Sequence, residues 1–469
     1  MKKFFTKVKD GIKKFFKIEE NKSSIKTEVL AGFTTFMTMA YILAVNPSIL
    51  GDSGMDKTAV LIATCLASFI GTAIMALWAN MPLALSAGMG LNAFFTYTVV
   101  AQYGYSWQFA LFAVFIEGII FIILSLTKVR EAIFNAIPLE LKTAVSVGIG
   151  LFIAFIGLQG AKICVPSEST LVTVIDFTEN FNTAGIGALL ALIGTILTAI
   201  LYIKKVKGSI LIGILATWGL GMLCQLVGIY IPDAANGFYS LYPSFEFTDF
   251  SKLGETFGQC FNFDSFAGKN ESVNILDFVV IMFAFLFVDM FDTLGTVIGV
   301  ATKADMLDEN GKLPNIKPVL TADAVATSVG AVLGTSTTTT FVESSAGVSE
   351  GGRTGLTALT TALMFVVAMF FAPVFTAIPS FATAPALIIV GFLMFSNISS
   401  LKINEENYTS TIPAYICILS MPILYSISEG ISLGVISYVI INLICGKGKK
   451  VSPVMYILAV LFILKYIFL

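Results

Sequence analysis

The sequence predicts an all-α polytopic membrane protein of fourteen transmembrane segments, arranged as two inverted repeats of seven, with a short β-strand in each third segment. Of the 469 residues, 56% are hydrophobic and only 12% are charged, about half the charged fraction of a soluble domain. Apolar runs of about 20 residues, enough to cross a bilayer, recur along the chain. The longest polar interval, Pro232 to Ser272, leaves seven segments on each side. Because seven is odd, the two halves must insert with opposite orientations.

The first 27 residues contain no continuous apolar core, so they do not form a signal peptide. Phenylalanine and isoleucine recur every three to four residues between the lysines of "MKKFFTKVKDGIKKFF". This pattern predicts a basic amphipathic helix on the cytoplasmic membrane surface. A solvated charged tail is the alternative.

The fourteen predicted segments follow from hydropathy. They cover residues 28–49, 58–78, 82–100, 107–127, 138–160, 184–203, 208–231, 274–300, 318–333, 335–349, 355–377, 381–398, 411–427 and 429–445. The basic loops, such as 127–132 and 204–207, then fall on one side of the membrane, which should be the cytoplasm, with both termini on that side. The C-terminal apolar helix expected at 446–469 either lies on the inner surface or inserts as a further span.

Two of the segments are interrupted by polar and small residues. "TSTTTT" (335–340) is a run of β-branched residues that favours extended backbone over helix. Its counterpart in the first half is "PLALSAGMGLNAFF" (82–95). Unpaired backbone groups cannot face lipid, so we expect two short crossing strands, each followed by a half-helix, that line a binding site. A Thr- and Gly-rich face for helix packing is the alternative.

Carboxylates within apolar segments are costly in a bilayer and are functional candidates by default. Glu343 follows the threonine run, where the alternative is a capping acid near the surface. Asp289 and Asp292 lie three residues apart, so they share one face of a helix. Two carboxylates this close favour binding a proton, although they also suit Na⁺ or a structural hydrogen-bonded pair.

Three further polar residues lie within predicted segments. Asp323 is near the cytoplasmic end of its segment, where it either belongs to the site or caps the helix. Glu117 lies mid-segment, where a hydrogen bond to a neighbouring helix would account for it. Asn46, followed by Pro47 at the end of the first segment, either caps that segment or braces the site.

The composition also limits the function. Histidine is absent, so proton chemistry near neutral pH would depend on carboxylates. Six cysteines are scattered without a CxxC pair, which indicates neither a zinc site nor a disulfide framework. The net charge of −2 indicates no nucleic-acid partner, and the sequence indicates no cofactor. An intramembrane enzyme would need a Ser/His pair, a metal site or aspartates on two facing helices, so we expect a transporter instead.

The motifs of this chain resemble those of the nucleobase:cation symporter-2 family, specifically its adenine/guanine/hypoxanthine permease branch. The resemblance covers nearly the whole length and rests on five stretches: "AGFTTFMTMAYILAVNP" (31–47), "LSAGMGLNAFF" (85–95), "FVDMFDTLGT" (287–296), "ADAVATSVGAVLGTSTTTTFVESSAGVSEGGRTGL" (322–356) and "ISEGISLG" (427–434).

This resemblance implies a division into a core domain and a gate domain. The core domain would comprise segments 1–4 and 8–11 (28–127 and 274–377), and the gate domain segments 5–7 and 12–14 (138–231 and 381–445), with an extracytoplasmic loop at 232–273 between the halves. It also implies a homodimer in the cell membrane that imports a purine nucleobase together with H⁺, or with Na⁺, by alternating access.

Family positions carried over are the acids of segments 8, 9 and 10 and the asparagines of segments 1 and 3, which match Asp289, Asp292, Asp323, Glu343, Asn46 and Asn92. A purine is flat and presents donors and acceptors on its edges, so carboxylates, backbone N–H groups and an aromatic ring would bind it. The expected substrate-binding residues are therefore Glu343, Asp292, Asn92, Thr339, Thr340, Phe94 and Phe341. The expected ion-coupling residues are Asp289, Asp323 and Asn46.

Three alternatives within transport stay open. The first is an anion exchanger of the related sulfate/bicarbonate fold class, and the second is a xanthine or uracil transporter of the same fold. The third is a passive channel, which would not need titratable acids beside its substrate. At least four acids and no mid-segment lysine or arginine favour a neutral or cationic substrate.

Overall fold

The computed structural model describes residues 2–127, 137–167, 169–178, 180–233, 237–243, 246–270, 273–307, 313–314 and 316–468. Most of the basic loop at 127–132 lies outside the described residues, as do parts of the loop at 301–318.

The described residues are mostly helical. The helices are α1 (Lys2–Phe15), α2 (Ile25–Met39), α3 (Ile42–Gly51), α4 (Lys57–Ile74), α5 (Met89–Ala93), α6 (Trp107–Leu126), α7 (Leu139–Gly160), α8 (Ile186–Ile203), α9 (Ser209–Leu226), α10 (Ile275–Lys303), α11 (Ile316–Leu333), α12 (Ser344–Ser349), α13 (Gly355–Met369), α14 (Ala372–Thr376), α15 (Ser380–Phe395), α16 (Tyr408–Ile423), α17 (Ile427–Ile444) and α18 (Pro453–Phe468). Several begin at a short polar residue that satisfies a free backbone N–H group. For example, Asp56 accepts from Ala59 N at 2.8 Å, and Ser106 accepts from Phe109 N at 3.2 Å.

Within the described residues, nine helical stretches are long and apolar enough to cross a membrane. They are Ile25–Gly51, Lys57–Ala79, Trp107–Leu126, Leu139–Gly160, Phe181–Ile203, Ser209–Leu226, Ile316–Leu333, Ser380–Ser400 and Ile427–Ile444. The chain is therefore a mostly helical polytopic membrane protein.

Two very short strands pair inside the helical bundle. Strand β1 (Leu85–Ala87) lies antiparallel to β4 (Thr338–Thr340), with Ser86 opposite Thr339. Every residue of both strands is buried. Two more backbone bonds extend the pairing, from Gly88 N to Thr337 O at 2.9 Å and from Phe341 N to Ala84 O at 2.9 Å. The extended backbone therefore finds partners within the protein, as backbone at membrane depth must.

A short helix follows each of these strands. Helix α5 follows β1 and continues as a π-helix over Phe94–Gln102, and α12 follows β4. Both strands lie in the two segments for which the sequence predicts extended backbone. A second strand pair, β2 (Cys164–Ser167) with β3 (Leu171–Val174), was not predicted and lies in the connection between α7 and α8.

The long helices pack in two sets. In the first set, α13 packs against α2 and α4, and α11 packs against α4 and α6. In the second set, α15 packs against α7, α8 and α9, and α16 packs against α7 and α17. The two strands and α5 lie within the first set, and α5 contacts α7 of the second set. The paired strands thus lie close to the boundary between the two sets.

The N-terminal segment is anchored to the bundle. Phe16 and Ile18 are buried against Leu356 at the start of α13. Beside them, the fully buried Glu28 accepts from the backbone N–H groups of Arg353 and Thr354, at 3.0 and 3.2 Å. It also accepts from the Thr357 hydroxyl at 2.6 Å. A carboxylate interacts favourably with the positively polarised N-terminus of α13, so Glu28 connects α2 to α13.

The C-terminal helix α18 returns along α17. Tyr456, in the first turn of α18, donates to Gly448 O at 3.0 Å, just beyond the end of α17. Tyr466, near the end of α18, donates to Glu429 in the first turn of α17. Since the two helices are antiparallel, Tyr466 lies at the opposite end of the bundle from Lys447. The side of the membrane that the end of α18 faces stays a prediction.

Candidate functional site

Two asparagines hold together the segments that adjoin the paired strands β1 and β4. Asn92, on α5, donates to Asn46 Oδ1 at 2.6 Å and accepts from the Ser336 hydroxyl. Asn46, on α3, donates in turn to Thr64 Oγ1 at 2.7 Å and to Thr335 Oγ1 at 3.1 Å. All five side chains are buried. The structure thus brings Asn46 and Asn92 together as a brace between α3, α5 and the segment that leads into β4.

Asp323 organises the end of strand β4. It is fully buried, and its carboxylate accepts from Thr293 Oγ1 at 2.8 Å and from Thr339 Oγ1 at 3.3 Å. It also accepts from the backbone N–H of Thr340 at 3.1 Å. The alternative that Asp323 caps its helix is wrong, because α11 begins at Ile316, about two turns earlier.

Two further buried acids, Asp289 and Glu117, also lie beside threonine hydroxyls of this site. Thr293 Oγ1 also lies 3.1 Å from Asp289 Oδ1, one turn along α10, so its one proton can be donated to Asp323 or to Asp289. Thr337 Oγ1 donates to Glu117 Oε2 at 3.0 Å across 220 residues of sequence. Asp289 is within hydrogen-bonding distance of Glu117. The sequence placed Glu117 outside the site, whereas the structure places it beside Asp289.

Asp292 and Glu343 form a second acidic pair, half-buried where the first is fully buried. Glu343, immediately before α12, accepts from the Tyr41 hydroxyl at 2.6 Å. Asp292 has both Glu343 and Tyr41 as electrostatic neighbours. A Cβ atom on Gly88, next to β1, would lie 3.8 Å from Asp292 Oδ2. Asp292 and Glu343 therefore flank the ends of the paired strands.

Hydrogen-bonding capacity remains open beside this second pair. In the part of the chain that the structure describes, Asp292 makes no hydrogen bond to a side chain or backbone group. The Thr340 hydroxyl is also buried without a partner among those residues. No lysine or arginine of the described ranges forms an ion pair with any of these acids. The site therefore offers acceptors to a ligand that brings N–H donors.

The two phenylalanines expected to stack on a ligand are packed inside the protein. Phe94 is 1% exposed and meets Phe285 edge-on, with ring centroids 4.8 Å apart. Phe341, at the end of β4, is 6% exposed. Neither ring offers a free face in this conformation, so their stacking role stays a prediction.

Two side chains of the site carry signals that the sequence analysis missed or undervalued. Tyr41 interrupts an apolar run, where an aromatic residue usually fills the core, yet its hydroxyl holds Glu343. Thr293 connects Asp289, Asp323 and Thr339, with Thr293 and Thr339 hydroxyls 2.8 Å apart. Over the described ranges, no group of three or more Cys, Asp or Glu side chains has metal-site geometry.

Comparisons with known proteins identify the family to which this chain is similar. Residues 26–433 match a family model described as the permease family. The chain is 43% identical over 456 residues to a guanine/hypoxanthine permease of Bacillus subtilis, covering 96% of this chain and 99% of that protein. It is 39% identical over 458 residues to an adenine permease of Escherichia coli, covering 98% and 96%.

The fold also resembles solved transporter structures. The transmembrane domain of a cyanobacterial bicarbonate transporter superposes with a TM-score of 0.59, at 14% identity, over 87% of this chain and 97% of that domain. At this low sequence identity, the superposition establishes a common fold and says nothing about the substrate.

Proposed function

The chain belongs to the nucleobase:cation symporter-2 family, in the branch of the adenine and guanine/hypoxanthine permeases, and from this premise we propose that it imports purine nucleobases by proton symport. The single observation that carries the proposal is the half-buried pair of Asp292 and Glu343 at the ends of two paired strands. Both are acceptors, and a neutral purine brings ring and exocyclic N–H donors to them.

In the proposed site, each of these acids accepts from a different edge of the purine. Glu343, held by Tyr41, accepts from one edge of the purine, and Asp292 accepts from another. Thr340 offers its unpartnered hydroxyl, and Thr339 and Asn92 fix the strands around the base. Phe94 or Phe341 stacks on the ring face after a side-chain rotation, because an aromatic face complements a flat base.

Proton coupling is proposed for the deeper acids. Asp289 and Asp323 share the Thr293 hydroxyl and are fully buried, so an uncompensated charge on each would be costly. Asn46 braces the strand segment that leads to them. Binding a proton together with the purine would lower this cost and favour movement of the loaded site.

Alternating access is proposed as motion of one helix set against the other. The first set corresponds to the core domain (28–127 and 274–377) and the second to the gate domain (138–231 and 381–445). Fourteen segments in two inverted repeats account for a strand in each third segment. We place a homodimer in the cell membrane with the N-terminus inside. Since α18 returns along α17, we place the end of α18 outside.

Uptake into proteoliposomes tests the proposal. Radiolabelled adenine, guanine, hypoxanthine, xanthine, uracil and bicarbonate are offered with and without an inward proton gradient. Uptake of at least one purine, raised by the gradient and lost in Glu343→Gln, supports the proposal. The matched control is Glu255→Gln at an exposed glutamate, which should transport like the wild type. Uptake of bicarbonate instead of purine, or full uptake by Glu343→Gln, contradicts it.

A further inference from the structure

Glu117 is a buried acid that the proposed site does not use. It lies in the middle of α6 and is fully buried. Oε2 accepts from Thr337, but Oε1 has no hydrogen-bond donor among the described residues. Leaving a buried carboxylate oxygen without a donor is costly, so this atom points to a proton or another small cationic species.

The helices around Glu117 bring acids close to it, and no lysine or arginine of the described residues forms an ion pair with it. Helices α10 and α11, which pack on α6, contribute Asp289 and Asp323. The segment 94–102 also packs on α6, and its Tyr97 hydroxyl is directed away, to Asp52. Tyr103, just beyond that segment, donates to Glu429. The segments at 259–261 and 263–265 add the buried Cys260 and the exposed Asp264.

Close helix packing fixes this geometry. A Cβ atom on Gly118 would lie 2.8 Å from the backbone nitrogen of Ser328 on α11, so only glycine permits this approach. Glu117 is therefore held beside the acids of α10 and α11 and has little room to turn away.

Two carboxyl groups in contact, without a neighbouring cation, are stable only with a proton between them. The O–H of one group then donates to an oxygen of the other, and the pair carries one negative charge instead of two. When the proton leaves to water, that O–H bond breaks and the pair regains its second charge. No other reactant is needed.

We propose that Glu117 and Asp289 together hold the proton that is transported with the substrate, an inference that rests on the proposed symport. Strand β4 connects this pair to the purine site. Alternate side chains of an extended segment share a face, so Thr337 and Thr339 point to the same side. Thr337 donates to Glu117, and Thr339 contacts Asp323 and Thr293. A purine that shifts the end of β4 at Thr340 would change the donors available to the proton pair.

The test compares two transport modes in Glu117→Gln proteoliposomes. Glutamine mimics the protonated acid permanently, because its amide donates to Asp289 without releasing a proton. We expect gradient-driven purine uptake to fall by about tenfold or more. Purine–purine exchange at equal pH should persist, with a KM close to that of the wild type and without dependence on pH. Glu117→Asp should restore part of the gradient-driven uptake, and Glu255→Gln serves as the control.

Proton binding provides a second readout. A pH-sensitive dye follows protons taken up when guanine or adenine is added to detergent-solubilised protein. The wild type should take up protons and Glu117→Gln should not, although it still binds the purine. Gradient-driven uptake or proton uptake retained in Glu117→Gln overturns the inference. A wild type whose purine uptake ignores the gradient overturns the proposed symport itself, so the two failures are distinct.

Discussion

Replacing Tyr41 with phenylalanine tests whether Glu343 must be held in place to bind substrate. Tyr41 is 1% exposed, and the change removes only the hydroxyl that donates to Glu343 Oε1 at 2.6 Å. A hydrogen bond to a charged partner contributes about 1.5–3 kcal/mol. Because 1.4 kcal/mol corresponds to a factor of ten, the purine KM should rise about tenfold to a hundredfold if this bond positions the carboxylate.

The assay is initial uptake of the preferred purine in proteoliposomes over a range of concentrations. A matched control is Tyr230→Phe, which removes a buried hydroxyl that donates to Tyr239 O at 2.9 Å outside the site. We expect Tyr230→Phe to keep the wild-type KM. An unchanged KM in Tyr41→Phe would refute the positioning role, as would an equal change in both variants.

Three more predictions concern the ends of the bundle. Glu28→Gln replaces a carboxylate that three donors share, so the melting temperature in detergent should fall by about 4 °C, whereas Glu19→Gln, at an exposed ion pair, should leave it unchanged. Desolvation of its carboxyl group raises the pKa of Asp52, an exposed residue, against smaller opposing effects of the Tyr97 hydroxyl and of Lys57 and Lys162. The folded state therefore favours the protonated acid, and stability falls as pH rises from the ordinary aspartate pKa through the raised one. Asp52→Asn should then melt higher than the wild type at pH 8 and equally near pH 4. Ile467→Cys should react with an impermeant thiol reagent added outside whole cells, in a variant whose native cysteines are replaced; labelling only after lysis would place the end of α18 inside.

The sequence predicted the broken segments because their chemistry is local. Four consecutive threonines cannot form a favourable helix, and their backbone cannot face lipid, so a buried strand near 335–340 follows from these residues alone. The same reasoning applies to Ser86 and its glycine neighbours. The exposed pairing of β2 with β3 was missed because a short strand in a connecting loop has no periodic apolar pattern.

The contacts of the site needed the structure, because they join residues far apart in sequence. The Thr337 hydroxyl that reaches Glu117 gives no local signal in either segment. Tyr41 was missed for a related reason, since its role depends on Glu343, 302 residues later. The capping alternative for Asp323 failed because Asp323 lies about two turns after the start of α11 at Ile316. Sequence therefore identified most of the acids but not which of them meet.

Calorimetric titration of purified protein with adenine, guanine and hypoxanthine tests the central claim most directly, since it measures the purine site without any transport step. The claim predicts that the wild type binds at least one purine. In Glu343→Gln the Kd should rise by about a hundredfold, because a charge-assisted hydrogen bond to the purine is lost. Glu255→Gln should bind like the wild type. Absence of purine binding by the wild type, or equal affinity in Glu343→Gln, would contradict the claim.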